Sequence, residues 1–264
     1  MLRIQNHRLV GDGTSFRATP NCGGELTARY LVFHYTAGRS AESSVESLCT
    51  RKPHGNASAH LVLARDGRIV QLAPFNVVAW HAGVSQWNGR VGLNRASVGI
   101  ELDNAGALSR VGDRFIAWFG QEYGAGDVVL AEHKHGGTRP WHAYTEVQIE
   151  RALELAELLV EHYGLEAVLG HEDIARGRKQ DPGPAFPLEA IARRALGRTR
   201  DVAPAATRAR SAVKKSAARS VRKETISAHN TKKKQTVSAR SAPAKKPKKK
   251  ATSARKRLAR RTRR

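Results

Sequence analysis

The sequence predicts an α/β protein of the α+β kind, a central mixed β-sheet flanked by helices, and three observations predict it. Short apolar and β-branched runs recur through the first 200 residues, separated by Gly, Pro and charged stretches. An Asp-Gly pair stands between two of those runs, the strongest short-range hairpin signal, so at least two strands are antiparallel. One long stretch of helical period then follows these strands, the order expected for a mixed sheet with helices packed on it.

Tyr30 to Tyr35 (YLVFHY) reads as a buried strand that stops at Thr36-Ala37-Gly38, with His34 near its end. Ser40 caps a short helix through AESSVESL, and residues 51–57, with Pro53 and Gly55, form a loop. His60 to Leu72 (HLVLARDGRIVQL) holds Asp66-Gly67 and supplies the hairpin. Ser97 to Leu102 (SVGIEL) is a further strand whose Glu101 is the odd charge among apolar residues. From Tyr144 the period becomes helical: Val147, Leu155, Leu158 and Leu159 fall near one face, Thr145 and Gln148 can form a capping box, and Gly164 stands where a C-cap belongs. Ala167 to Gly170 is a last short strand. The HEDIARGRKQDPG segment after it is too rich in charge, Gly and Pro to be regular, and Leu188 to Leu196 is a closing helix that ends at Gly197. No internal repeat is present.

Charge divides the chain in two. Residues 201–264 hold 23 Lys and Arg against only Asp201 and Glu224, a net of +21 out of +23 for the whole chain. Every Trp, Tyr and Phe lies before that stretch, so it has no aromatic side chain with which to build a core. A segment of Lys, Arg, Ala, Ser and Thr cannot bury enough apolar surface to offset its ordering entropy, and residues 199–264 are expected to be disordered. Residues 1–198 are mixed in composition and long enough to bury about 70% of their unfolded surface as one domain. Two cysteines, Cys22 and Cys49, argue against a disulfide framework and read as free thiols. The N-terminus lacks the apolar stretch of a secretory signal, and no run of about 18 apolar residues could span a bilayer. Cytoplasmic synthesis is therefore expected, with lysis or a dedicated secretion machine as the route outward.

The chemistry rests on histidine spacing, because a single one of the eleven histidines is more often a surface or core residue than a ligand. His171 opens a segment that also holds Asp181, a second candidate metal ligand, and the cation Lys179. Residues two apart in extended chain point to the same side, so Lys179 and Asp181 can face one site. A catalytic zinc takes three protein ligands and keeps one position open, and two histidines with a carboxylate are a common set. The residues by themselves leave the third ligand open among His34, His60, His81, His133, His135 and His142.

FHYTAG, SAHLVLARDG, AWHAG, SVGIEL and GHEDIARGRKQDPG, in that order, resemble the successive motifs of the type-2 amidase family. That family includes phage lysozyme-amidases, bacterial muropeptide amidases and animal peptidoglycan recognition proteins, and the resemblance covers about residues 28–190. It implies an amidase/peptidoglycan recognition protein-like sheet and one zinc (Zn2+) per chain, held by His34, His171 and Asp181. It implies catalytic roles for Glu101 and Lys179, and hydrolysis of the amide bond between N-acetylmuramic acid and L-alanine in peptidoglycan or muropeptides. His81 in AWHAG matches a substrate-cleft position, with a structural hydrogen bond as the competing role. Trp80 beside it is a core residue or a sugar platform, and His60 is expected to be packed. Arg176 stands where many relatives have Pro, and is expected to change the loop's rigidity or to meet substrate carboxylates. The HKHGGTRPWH segment, residues 133–142, reads as a loop at the cleft rim.

Two rival functions have their own signatures. A binding module that keeps the fold without the metal would lack ligands, and this chain retains all three together with both catalytic positions. A nucleic-acid-binding protein could use the basic segment, since polycations bind polyphosphates by counterion release. That segment has no aromatic side chain for base stacking, so such binding would be non-specific. The same charge suits anionic envelope polymers, each basic residue near such a surface contributing about 1 kcal/mol.

Overall fold

The computed structural model describes residues 1–53 and 55–201; of residues 199–264, expected to be disordered, 199–201 continue the last helix and the rest lie outside the described residues. The described residues fall in one unit, built on a six-stranded sheet. In chain order its strands are β1 (Thr14–Phe16), β2 (Tyr30–Tyr35), β3 (Leu61–Leu63), β4 (Ile69–Gln71), β5 (Ser97–Leu102) and, after an insert, a final strand Ala167–Gly170. The insert carries a small sheet of β6 (Ser109–Val111), β7 (Arg114–Ile116) and β8 (Glu122–Tyr123), then a hairpin of β9 (Val128–Glu132) and β10 (Thr138–His142). With the final strand as β11, the spatial order is β11-β2-β5-β3-β4-β1, every neighbouring pair parallel except the β3–β4 hairpin. The sheet is therefore mixed, as the Asp-Gly turn requires.

Alternation along the strands decides what each face holds. Leu31 and Phe33 of β2 and Val98, Ile100 and Leu102 of β5 enter the main core. Helix α2 (Glu146–Tyr163) covers that core with Ala152, Leu155, Ala156 and Leu159, spaced to form one apolar face. Its ends are where the sequence places them: Thr145 and Gln148 form the capping box, and Gly164 takes the left-handed conformation, φ 64°, that glycine adopts without strain. On the opposite face Tyr30 and Val32 pack with Leu93, Leu169 and Ile174, and helix α1 (Ala41–Cys49), capped by Ser40, covers Val62 and Leu72. His34 and Glu101 continue this second alternation and share a face.

Three expectations need correction. The segment after β11 is not wholly irregular, because His171–Ile174 forms one helical turn, α3; Asp173 accepts the Gly170 N–H and Ala175 donates to the His171 carbonyl. Gly197 does not end the last helix, α4 (Leu188–Asp201), since an interior glycine costs only about 1 kcal/mol and stops a helix only by leaving helical conformation. Residues 138–142 are strand β10 rather than loop, paired along their length with β9. Cys22 and Cys49 are free thiols, and among the described residues no helix is long and apolar enough to cross a membrane.

Candidate metal centre

Parallel strands that end at one edge of a sheet leave a crevice there, the usual ligand position in open α/β sheets. Here β2 delivers His34, β5 delivers Glu101 directly opposite it in register, and β11 leads into α3, whose first residue is His171. The chain then returns to bring Asp181 beside both, with the Asp181 carbonyl accepting from the Glu172 N–H at 2.9 Å. His34, His171 and Asp181 each offer a ligand atom within 4.8 Å of the others, and all three are buried. Asp181 Oδ2 lies 3.1 Å from His34 Nδ1 and 2.9 Å from His171 Nδ1, and the two Nδ1 atoms are 2.9 Å apart.

Hydrogen bonds behind the site decide which nitrogen of each ring carries its proton. The Ser97 hydroxyl donates to the Leu93 carbonyl at 2.7 Å, so both Ser97 oxygens near His81 are acceptors. His81 Nε2 therefore donates to the Ser97 carbonyl, its Nδ1 accepts, and His34 Nε2 is the donor to it at 2.9 Å. A neutral His34 is left with its Nδ1 lone pair facing Asp181, and burial, opposed by the Asp181 carboxylate, lowers this histidine to about 4. His171 Nε2 meets the Ala82 carbonyl at 3.2 Å, which likewise frees its Nδ1. Arg178 Nη2, 3.4 Å from the same nitrogen, already directs its two hydrogens to the Ala82 and Val84 carbonyls at 3.0 and 2.7 Å. Two imidazole lone pairs and a carboxylate oxygen thus converge, an arrangement that a bound cation stabilises, and the donor set fits zinc with one position open.

Glu101 faces the same cavity. Its Oε2 is enclosed and has no hydrogen-bond partner among the described residues. Burial first, and the Asp181 charge second, push its carboxyl well above the usual range, with Lys179 opposing. The cavity, about 490 Å³, is lined by Glu101, Lys179, His171, Asp181, His81 and His135 among others. All five residues expected to act at the metal or in catalysis are thus brought together.

The remaining expectations separate. His81 lines the cavity, yet both its nitrogens are taken up as described and its ring lies over Gly99, where an added Cβ would come within 2.4 Å of it. Trp80 is 41% exposed, and its backbone N–H donates to the hydroxyl of Ser58, a cavity residue. Arg176 is exposed and lines a neighbouring open groove of about 950 Å³ instead of the metal cavity. His60 is packed, accepting from the Gly99 N–H and donating to the Val77 carbonyl. Sequence reasoning missed Arg178, which lines both cavity and groove, and did not single out His135 within its loop.

Fold and site together define an α/β protein with a buried two-histidine, one-carboxylate centre at the carboxyl ends of its sheet strands. The chain belongs to the N-acetylmuramoyl-L-alanine amidase (Amidase_2) family, whose sequence profile matches residues 24–184. It is 33% identical over 174 residues to the N-acetylmuramoyl-L-alanine amidase AmiD of Escherichia coli K12, covering 64% of this chain and 54% of that one. Its identity to the 1,6-anhydro-N-acetylmuramyl-L-alanine amidase AmpD of the same organism is 36% over 135 residues, 50% of this chain and 55% of that one. The chain therefore spans about half the length of the curated relatives it matches. A solved complex of E. coli AmiD with an anhydro-N-acetylmuramic acid peptide aligns over 73% of this chain and 65% of that one, at 27% identity and a TM-score of 0.47.

Proposed function

We propose that this protein is a zinc-dependent amidase that hydrolyses the bond between N-acetylmuramic acid and L-alanine. Family membership supports the reaction class, and one observation carries the metal dependence: two imidazole lone pairs and a carboxylate converge beside the unpartnered oxygen of Glu101. His34, His171 and Asp181 would hold the zinc, which when bound would supply a Lewis acid that lowers the pKa of water towards neutrality. Glu101, whose Oε2 is unpartnered at the cavity, accepts the proton of the attacking water and delivers it to the leaving alanine nitrogen. Lys179 holds a positive charge beside the carbonyl oxygen as it becomes an oxyanion. His81 orients His34 by accepting its Nε2 proton. Arg176 and Arg178 give the adjoining groove a charge suited to the carboxylates of the peptide.

The Lys- and Arg-rich residues 201–264 serve, on this reading, to hold the enzyme on anionic envelope polymers, and their charge supports it. Deleting residues 202–264 is then expected to leave zinc content and turnover of soluble muropeptides unchanged. Binding to envelopes should weaken at low salt and match the full chain at high salt, where exposed charges are screened; equal envelope binding at low salt refutes the tether. Purified sacculi and soluble muropeptides, each digested and resolved by mass spectrometry, test the reaction itself. The expected products are free stem peptide and peptide-free glycan or muramic acid, and cleavage at any other bond refutes the assignment.

A further inference from the structure

The bond this enzyme is proposed to cut joins two unlike groups: a sugar carries the carbonyl side, and a peptide ending in carboxylate carries the nitrogen. The surroundings of the metal cavity are equally unlike. Arg178 belongs to the cavity and to the groove beside it, where Arg176 adds a second positive charge, so that side matches the peptide. Ala37 belongs to the cavity but not to that groove. Against Ala37 stands Trp118, whose indole N–H donates to the Ala37 carbonyl at 2.8 Å while 77% of the residue stays exposed.

Trp118 is held there deliberately by local structure. It occupies the tight turn between β7 and β8, closed by bonds from Ala117 N–H to the Gln121 carbonyl and from Gly120 N–H to the Ala117 carbonyl. Gly120, at φ +87°, supplies the left-handed backbone that turn needs. Arg39, just beyond Ala37, donates to the Phe119 carbonyl at 2.9 Å and lies 5.2 Å from the Phe119 ring centroid. Two hydrogen bonds and a cation–π contact therefore fix the turn to the cavity wall and leave the large indole surface facing solvent. A ring already immobilised loses little further freedom on binding, and its π face suits the C–H face of a pyranose, which is uncharged and needs no counter-ion.

We infer that Trp118 is a stacking platform for the sugar unit next to the muramoyl residue, so the preferred substrate carries glycan beyond the sugar at the cut. This inference rests on the amidase reading and deepens it. The position follows from the geometry: Trp118 is outside the lining of the cavity that the muramoyl unit would fill, and it adjoins that lining through Ala37. The insert that β6 to β10 form thereby acquires a role, bringing an aromatic surface to one side of a site whose chemistry belongs to the sheet's strand ends and the α3 segment.

The test uses the full zinc-loaded chain, Trp118→Ala and Trp118→Phe, and two substrates with the same peptide, one bearing muramic acid alone and the other the N-acetylglucosaminyl-muramoyl disaccharide. For Trp118→Ala, KM for the disaccharide peptide is expected to rise about fivefold or more with kcat nearly unchanged, the scale of one aromatic contact. KM for the single-sugar peptide should stay within twofold of wild type. Trp118→Phe, which keeps a ring and loses the tether, should recover only part of the disaccharide preference. Equal effects on both substrates, or none on either, overturn the inference. A second readout avoids turnover: the peptide-free disaccharide should perturb the tryptophan fluorescence of wild type and leave Trp118→Ala unaffected, and the same response in both overturns it too. Should wild type fail to cut either substrate, the amidase reading falls, while the fluorescence titration still decides whether Trp118 binds sugar.

Discussion

The ends of strands β2, β5 and β11 and the insert of residues 104–143 both reach the metal cavity, but they are built on opposite terms. The strand ends carry His34, Glu101 and, one residue on, His171 on backbone fixed by parallel pairing, with the two imidazoles buried and each tied to a further acceptor. The insert has a small cluster of its own, Ala105, Leu108 and Ala117, and leaves Trp118, Leu130 and Val111 largely exposed. Chemistry at a metal needs positions held to about half an ångström, which a sheet supplies, whereas contact with a long substrate tolerates adjustable surface. Changes in the strand ends should thus act on metal content and kcat, and changes in the insert on KM.

The sharpest break in that contrast would come from the ligands. Asp181→Ala is expected to remove zinc and at least a thousandfold in kcat/KM, because the two histidines lose their carboxylate partner and metal binding is coupled to all three. Metal analysis after gel filtration, alongside turnover, checks this, and zinc retained at full occupancy would place the metal elsewhere. Next in size, Glu101→Gln and Lys179→Ala should each keep zinc and lose about 100-fold in kcat, the scale of a missing acid–base or oxyanion group. A variant near the wild-type rate removes its residue from the mechanism.

A smaller effect separates the support of a ligand from the ligand. His81→Ala leaves the His34 Nε2 proton without its acceptor and should weaken zinc binding about 10- to 100-fold in chelator competition. His81→Asn, with an oxygen where Nδ1 stood, should restore much of that loss. Gly99→Ala should mimic His81→Ala from the opposite side, since its Cβ would overlap the His81 ring. A separate effect, read in folding and not in catalysis, concerns stability. His60 is lowered to about 4 by burial, with its bond to Val77 opposing, while an unfolded histidine titrates near 6.5. Its contribution is complete above pH ~6.5 and is lost as pH falls towards 4, because the unfolded chain takes up the proton first; the total is about 3 kcal/mol. Denaturant unfolding across that window should show a shallower pH dependence for His60→Gln, and an unaltered slope would contradict the assignment.

The same contrast explains what the sequence made legible. Hairpin, capping box and glycine C-cap are local signals, and all three stand where the residues put them. Ligand spacing was local only for His171 and Asp181; from the residues alone His34 was one of six candidates, because a parallel pairing 137 residues long in sequence separation leaves no spacing to read. Only the ordered motifs singled it out. His81 was ambiguous for a related reason: its partners, His34 and Ser97, lie on two different strands. The insert was the least legible part. Its strands are two to five residues long, several are exposed on both faces, and the apolar alternation that marks a half-buried strand is missing. The one-turn helix α3 hid because only Ile174 of its four side chains enters the core, while His171 serves the site and Asp173 the helix's own cap.

The central claim, that the strand ends and the loop carrying Asp181 form a zinc centre that cuts the muramoyl–alanine bond, is tested most directly by titrating zinc into chelator-treated protein. Metal content, release of the stem peptide from a muramoyl peptide, and product masses would be followed together. The account predicts no cleavage without metal, and activity that rises linearly to a plateau at about one zinc per chain, with the peptide's free amine on L-alanine. Full activity in the metal-free protein, or a plateau reached while products show a different bond cut, would contradict it.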